Sequence, residues 1–310
     1  MAIKRLGMGG FGISLTASEH EVGLHISLGG QLWERFARTL KRRRQPPLTH
    51  PPRSDCAREV PAHDANDTSP TAELVRRINR VNWYHTFDFG NGIRTPGAFD
   101  HSKILDRYRL PERLSGKRIL DVATYDGFWA FEFERRGARE VFALDVDGLK
   151  DLDWPPRRLA AATDEEKAIR FGEGFAIAKE QFGSSVQRVV CNVYDLKPEL
   201  FGVFDIVHSG DLLLHLNSPV RALQNIARVC TEYALISDVY FPDLDHVGSR
   251  QLLEYMGGRD APTWWKFGFR ALKEIILDAG FSRVEVLSTF SYGYRVSPGR
   301  MQHAVLKAYK

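Results

Sequence analysis

The pattern of apolar and polar positions changes character near residue 70 of the chain. Beyond that point short apolar runs recur, each separated by a stretch with helical spacing. Strands are predicted at Arg118–Ala123, Glu140–Val146, Arg188–Asn192, Phe204–Ser209, Tyr233–Tyr240, Arg283–Phe290 and His303–Tyr309. Between them, Thr163 and Glu166 form a capping box ahead of Phe171, Phe175, Ala178 and Phe182, with Gly183 as the stop. Ser218 followed by Pro219 marks another helix start, and Ala271–Ala279 ends at Gly280. Alternating strands and helices imply an α/β fold with a mostly parallel seven-stranded sheet, covered by helices on both faces.

Ahead of this body the pattern is weaker. Trp83–Phe89 alternates, Gly90-Asn91-Gly92 supplies a tight turn, and Ile93-Arg94-Thr95 returns, which predicts an aromatic hairpin. Residues 12–16 and 22–28 alternate as a second hairpin would, although seven glycines fall in the first thirty positions. Residues 31–44 place Leu32, Phe36 and Leu40 four apart, predicting an amphipathic helix that ends in Lys41-Arg42-Arg43-Arg44. Six prolines among polar residues across 45–70 read as a linker. The expected organisation is therefore an N-terminal basic extension with linker, 1–70, and a body, 71–310.

Charge sharpens this division. Residues 1–60 hold ten Lys or Arg against five Asp or Glu, while the other 250 hold 33 against 34. A polyphosphate-binding surface leaves a basic footprint, and here it lies on the extension. A basic helix end is also what the helix dipole favours, so contact with RNA and a solvated helix end both remain open. Three scattered cysteines, Cys56, Cys191 and Cys230, argue against a zinc ribbon or disulfide framework and fit a reducing cytoplasm. No apolar run of eighteen residues and no continuous signal core occur, so neither a membrane span nor secretion is expected.

In an open parallel sheet, ligands bind beyond the carboxyl ends of the strands, at the switch point. The first strand leads into Asp121-Val122-Ala123-Thr124-Tyr125-Asp126-Gly127, which has one glycine where a dinucleotide fingerprint needs three. NAD, FAD and Walker-type sites are disfavoured; a nucleoside without phosphate is compatible. Asp145, 24 residues after Asp121 at the second strand's end, suits a ribose, or is an ordinary strand-end turn residue. Asn192-Val193-Tyr194-Asp195 and His208-Ser209-Gly210-Asp211 end the next two strands at the same crevice. No metal-ligand spacing stands out.

The series LDVATYDGF, ALDVD, NVYDL and FDIVHSGDLLLHLNSP resembles class I S-adenosylmethionine-dependent methyltransferases over roughly residues 80–310. WYHTFDFGNGIRTPGAFD and TWWKFGFRALKEIILDAGF are similar to the tRNA wobble-uridine (5-oxyacetic acid) methyltransferase-like branch. The resemblance implies a Rossmann-like sheet and S-adenosylmethionine as cofactor. It assigns Asp121, Ala123 and Gly127 to the cofactor loop, and Asp145 and Val146 to the ribose. Val193 and Tyr194 would flank adenine, and Gly210 would lie beneath the cofactor. Relatives carry two further glycines where this chain has Ala123 and Tyr125. Alanine substitutes for glycine where φ is negative, whereas Tyr125 implies a reshaped loop. The carboxymethyl-transferring relative holds an extra carboxylate with a tyrosine and a lysine. Here Leu214 and His85 stand at those places, so plain S-adenosylmethionine is expected, although Lys103 lies near another basic contact.

In-line transfer from a sulfonium needs alignment of the reactants and management of one proton. Candidate bases are His85, Asp211 and His215; each has a structural alternative, as a packed hairpin residue, a turn cap and a core histidine respectively. Trp264 and Trp265 are candidates for the acceptor wall, or for core. Three functions follow: methylation of a small-molecule oxygen or nitrogen, tRNA wobble-uridine methylation or carboxymethylation gripped by the basic extension, and non-catalytic cofactor binding.

Overall fold

The apolar runs after residue 110 become the strands of one sheet, and the sheet's chain path creates the crevice. The computed structural model describes residues 67–310 apart from 247, 249, 258–262 and 296–298, together with the backbone of three strands near the N-terminus. The chain divides into two compact units, residues 1–47 and 48–310. In the first, β1 (Ala2–Met8), β2 (Phe11–Ala17) and β3 (Val22–Leu28) form an antiparallel sheet in that order. The expected hairpin is thus joined by a strand ahead of it. The helix expected at 31–44 lies outside the described residues, as does most of the proline-rich stretch.

The second unit carries β4 (Arg118–Val122), β5 (Glu140–Asp145), β6 (Gln187–Val190), β7 (Phe204–Gly210), β8 (Cys230–Tyr240), β11 (Arg283–Tyr292) and β12 (Met301–Tyr309). Their order is β11-β12-β8-β7-β4-β5-β6, parallel from β8 to β6, with β12 antiparallel to both neighbours. This is the mostly parallel sheet that the alternation predicts, with the Rossmann-like order that the resemblance implies. Two short strands, β9 (Leu253–Tyr255) and β10 (Trp265–Phe267), pair separately. The chain leaves β4 toward β5 and β6, then returns to place β7 on β4's other side. The carboxyl ends of β4 and β7 therefore flank the switch point.

Alternate residues of the central strands feed two cores. Ile119 and Ile206 pack with Trp129, Phe133, Phe175 and the aromatic segment Trp83–Phe87 on one face. Leu120, Val122 and Val207 pack with Leu223, Ile226 and Leu272 on the other. The covering helices are α1 (Pro70–Arg80), α2 (Phe128–Arg135), α3 (Glu173–Phe182), α4 (Pro219–Val229) and α5 (Phe269–Asp278). Pro70 opens α1, and the Ser69 hydroxyl caps it by accepting from the Ala72 amide at 3.2 Å.

Two helix signals resolve differently from expectation. The Thr163–Glu166 capping box is present, but it caps a one-turn helix at Asp164–Lys167. Gly172, with φ of +99°, then breaks the path and α3 starts at Glu173, so Phe171 leaves the helix. Ser218 precedes α4, yet its side chain makes no capping bond and its hydroxyl donates to Asn217 Oδ1 at 3.2 Å.

The aromatic hairpin turns where predicted. The Ile93 amide donates to Gly90 O at 2.9 Å, and Gly90, Asn91 and Gly92 all have positive φ. Its arms meet in isolated bridges, Asp88 with Arg94 and His85 with Phe99, because the chain folds back at Gly97. A Cβ there would stand 2.2 Å from the His85 carbonyl carbon, so only glycine fits.

Candidate active site

The loop joining β4 to α2 shapes one wall of the crevice. Its residues alternate into the left-handed region: Ala123 at φ +61°, Tyr125 at +50° and Gly127 at +94°. The expectation that Ala123 sits at negative φ is therefore corrected. The backbone adopts the conformation that glycines favour, at roughly 1–2 kcal/mol for each non-glycine residue. Carboxylates hold it there. Asp145 Oδ2 accepts from the Tyr125 amide at 2.7 Å, and Asp121 Oδ2 accepts from the Thr124 hydroxyl at 2.6 Å. The Tyr125 ring packs between Tyr84 and Phe171, at 5.6 and 5.2 Å.

The crevice beyond β4, β5 and β7 is lined by His85, Ala123, Asp145, Val146, Val193, Gly210, Asp211 and His215 among the expected residues. Asp121, Gly127 and Tyr194 do not line it. Asp121 is buried behind it, engaged with Thr124 and His208. Gly127 starts α2 with its Cα against Phe131 and Phe175, where a Cβ would come within 2.6 Å. The Tyr194 hydroxyl donates to Asp153 at 2.6 Å and accepts from the Ser218 amide at 3.0 Å, tying β6's end to α4. Trp264 and Trp265 also stand outside the lining. Their ring nitrogens donate to the carbonyls of Asp153 and Asn217, while Trp129 and Trp154 face the crevice instead.

Asp145 combines burial with unused capacity. Each of its oxygens takes one backbone N–H, from Tyr125 at 2.7 Å and from Val146 at 2.8 Å. A carboxylate has about four acceptor positions, so each oxygen retains one. Burial pushes its pKa up to about 6, against the pull of those two amides and of Arg188. Gly210 keeps the floor open, since a Cβ would stand 3.2 Å from the His208 ring.

Two further groups that sequence reasoning passed over line the crevice, His101 and His208, and a third, Asp126, is buried behind His85. Asp126 Oδ2 accepts from the amides of Tyr84 and His85, both at 2.9 Å, and Oδ1 bonds His85 Nδ1. His208 Nδ1 bonds Asp121 Oδ1 at 2.7 Å, and its Nε2 is buried without a partner. His101 lies edge-on to His85, centroids 4.6 Å apart, with a buried and unpartnered Nδ1. Burial, with His85 nearby, drives the His101 pKa well below the ordinary imidazole value, keeping it neutral. No spacing rule links residues 41 or 87 positions apart, so neither Asp–His pair was visible before folding.

Asp211 follows β7 in the left-handed region, φ +48°. Its Oδ2 accepts from the Tyr84 hydroxyl at 3.1 Å, and His303 Nε2 stands 3.3 Å from Oδ1. Burial alone would raise its pKa, but the His303 charge and the Tyr84 hydroxyl bring it down. Asp238, behind it on β8, is pushed up by burial and by Asp211's charge. No lysine or arginine lines the crevice among the described residues.

No family model and no curated protein matches this chain. Among solved structures, it is similar to the N-terminal domain of EvdMO1 with SAH bound, with a TM-score of 0.54 and 19% identity, covering 80% of this chain and 99% of that one. The same EvdMO1 domain in the presence of SAH and D-fucose gives 0.52 and 20%, covering 80% of this chain and all of that one. These likenesses define the class of fold, the seven-stranded Rossmann-like sheet found in methyltransferases. No helix among the described residues is long and apolar enough to cross a membrane.

Proposed function

We propose that this chain transfers the methyl group of S-adenosylmethionine to an oxygen or nitrogen of a small-molecule acceptor, with a hydroxyl the best match. The observation carrying this reading is that Asp145 and an aspartate-held imidazole, His85, open into one crevice free of lysine and arginine among the described residues. A phosphate-free nucleoside fits such a lining. Asp145 would accept from the ribose hydroxyls with its remaining lone pairs, and Val146 and Val193 would flank the base. The backbone at Ala123 and Gly210 allows close approach. When bound, the cofactor supplies an electrophilic methyl on a sulfonium.

The residues of this chain then manage the acceptor. Asp126 receives the Nδ1 proton of His85 in a hydrogen bond, leaving Nε2 as the acceptor. His85 Nε2 would take the hydroxyl proton as the methyl passes to oxygen, the C–O bond forming as the sulfur–methyl bond breaks and the thioether leaves, and Asp126 would balance the imidazolium. His101, held neutral, offers a second acceptor nitrogen beside it. Paired imidazoles suit a polyhydroxylated acceptor. The EvdMO1 domain crystallised in the presence of D-fucose supports that class.

Plain S-adenosylmethionine remains the favoured cofactor. Asp145 and Asp211 would repel a carboxylated one, and Leu214, at the expected tyrosine position, is buried outside the lining. Titration calorimetry with S-adenosylmethionine, its demethylated product and the carboxylated analogue tests this. Binding of the first two, weakened by Asp145→Ala, is expected; no binding by any would overturn the reading. His85→Ala should keep binding and lose transfer. The tRNA reading draws on the basic charge of residues 1–60. Removal of that segment would then abolish a steeply salt-dependent tRNA affinity.

A further inference from the structure

The crevice has no lysine or arginine among the described residues, yet four cationic side chains gather at the next opening along the same sheet edge. Lys103 and Arg107, from the 3-10 helix His101–Tyr108, and Arg295 and Arg300, from the β11–β12 connection, line a cleft of about 560 Å³. The single carboxylate in that lining, Asp100, is buried and shared by two cations, Lys103 at 3.2 Å and Arg94 at 3.3 Å, and the exposed Arg107 stands 3.5 Å from Asp106. Arg300 is anchored by uncharged oxygens: its Nε donates to Ser291 Oγ at 3.3 Å and its Nη2 to Ser291 O at 2.7 Å. Such bonds fix a guanidinium in place and leave its charge uncancelled. Residues 61–310 as a whole carry 33 basic against 34 acidic groups, so this rim is a local concentration of charge within a nearly neutral body.

The cleft adjoins the candidate active site. Gln302 pairs with Tyr240, so β12 begins at the edge where β8 ends, the edge on which the crevice opens. Tyr292 lines the cleft and its ring lies 5.5 Å from His101. Arg295 Nε donates at 3.0 Å to the carbonyl of Gly97, the residue packed without clearance against the His85 backbone.

We propose that this cleft binds a phosphate or diphosphate group carried by the methyl acceptor. The acceptor's uncharged hydroxyl end would reach His85 while its anionic end stays in the cleft, away from Asp145 and Asp211. Guanidinium forks match phosphate oxygens two at a time, and Lys103 adds a point charge. That the group is carried by a methyl acceptor rests on the methyltransferase reading; the anion site does not.

The test uses the full chain saturated with S-adenosylhomocysteine and inorganic pyrophosphate as the calorimetric probe. Saturable binding is expected, weakened roughly tenfold by the double variant Arg300→Gln, Lys103→Gln. S-adenosylhomocysteine affinity should be unchanged, which shows that the variant is folded. Equal pyrophosphate affinity in both proteins, or no binding at millimolar concentration, overturns the site. Two further arms, a nucleoside diphosphate and a short RNA, separate the sources of the phosphate. A shallow salt dependence with the nucleoside diphosphate assigns the group to a small molecule. RNA binding whose steep salt slope drops in the double variant assigns it to a nucleic-acid backbone. Failure of the wild type to bind S-adenosylhomocysteine refutes the methyltransferase reading separately, and the pyrophosphate comparison, run without it, still decides the site.

Discussion

Acidification through pH 6 should uncouple the nucleoside from this protein, and the cause is one carboxyl group. Asp145 is buried with a pKa of about 6, and only its ionised form offers both oxygens as acceptors to a ribose. The groups that set this value are the Tyr125 and Val146 amides and Arg188, which favour the charge, and burial and Asp121, which oppose it. At pH 8 nearly all molecules are competent; at pH 5 about one in ten is, so apparent affinity for S-adenosylhomocysteine should fall about tenfold, near 1.4 kcal/mol. Calorimetry across pH 5–8 measures this directly. Asp145→Asn isolates the group: its affinity should be lower at pH 8 and nearly flat below. A wild-type affinity independent of pH, or an equal decline in Asp145→Asn, would refute the assignment. The same group acts oppositely on stability. Its pKa is raised on folding from 3.8 to about 6, so its contribution to the ligand-free fold is fully present below pH 3.8 and lost as pH rises through 6.

Other outcomes are equally specific. Ala123→Gly relieves a left-handed alanine and should stabilise the ligand-free protein by about 1 kcal/mol, read as a Tm rise of roughly 2–4 °C; a fall in Tm contradicts the strained loop. Asp126→Asn removes the anion that orients and balances His85, and transfer should drop by about 10²–10⁴ in single-turnover assays with S-adenosylhomocysteine affinity retained. Gly97→Ala forces a Cβ into the His85 backbone and should cost more than about 2 kcal/mol in urea unfolding; wild-type stability would show that the crossing is loose.

How much of this was legible beforehand depends on the range of each interaction. The central parallel strands were visible because a strand buried on both faces, such as Arg118–Val122, reads as a short, mostly apolar run. The Gly90–Gly92 turn was visible because its chemistry is local. Asp145 and Val146 line the crevice, as residues at strand ends in this topology do. Phe171 was misplaced on a helix, since the capping box at Thr163 is real but Gly172 breaks the path after it. Trp264 and Trp265 look like a pocket wall in sequence, yet their ring nitrogens are committed to carbonyls at Asp153 and Asn217. The pairing of His85 with Asp126, and of His208 with Asp121, arises only when the sheet and hairpin bring distant segments together. The left-handed φ of Ala123 has no local signature either, because the surrounding hydrogen bonds impose it.

Asp121 and Asp126 lie five positions apart on a single strand-and-loop segment, and each holds a different histidine at the crevice. Tyr125, between them, ties the same segment to Asp145. On the proposed reading, nucleoside recognition and proton handling would therefore share one mechanical part, and neither would be free to drift without moving the other. If that reading holds, variation in the acceptor would come from the cleft lined by the 3-10 helix and the β11–β12 connection. A library aimed at new acceptors belongs there, with residues 121–127 left as they are.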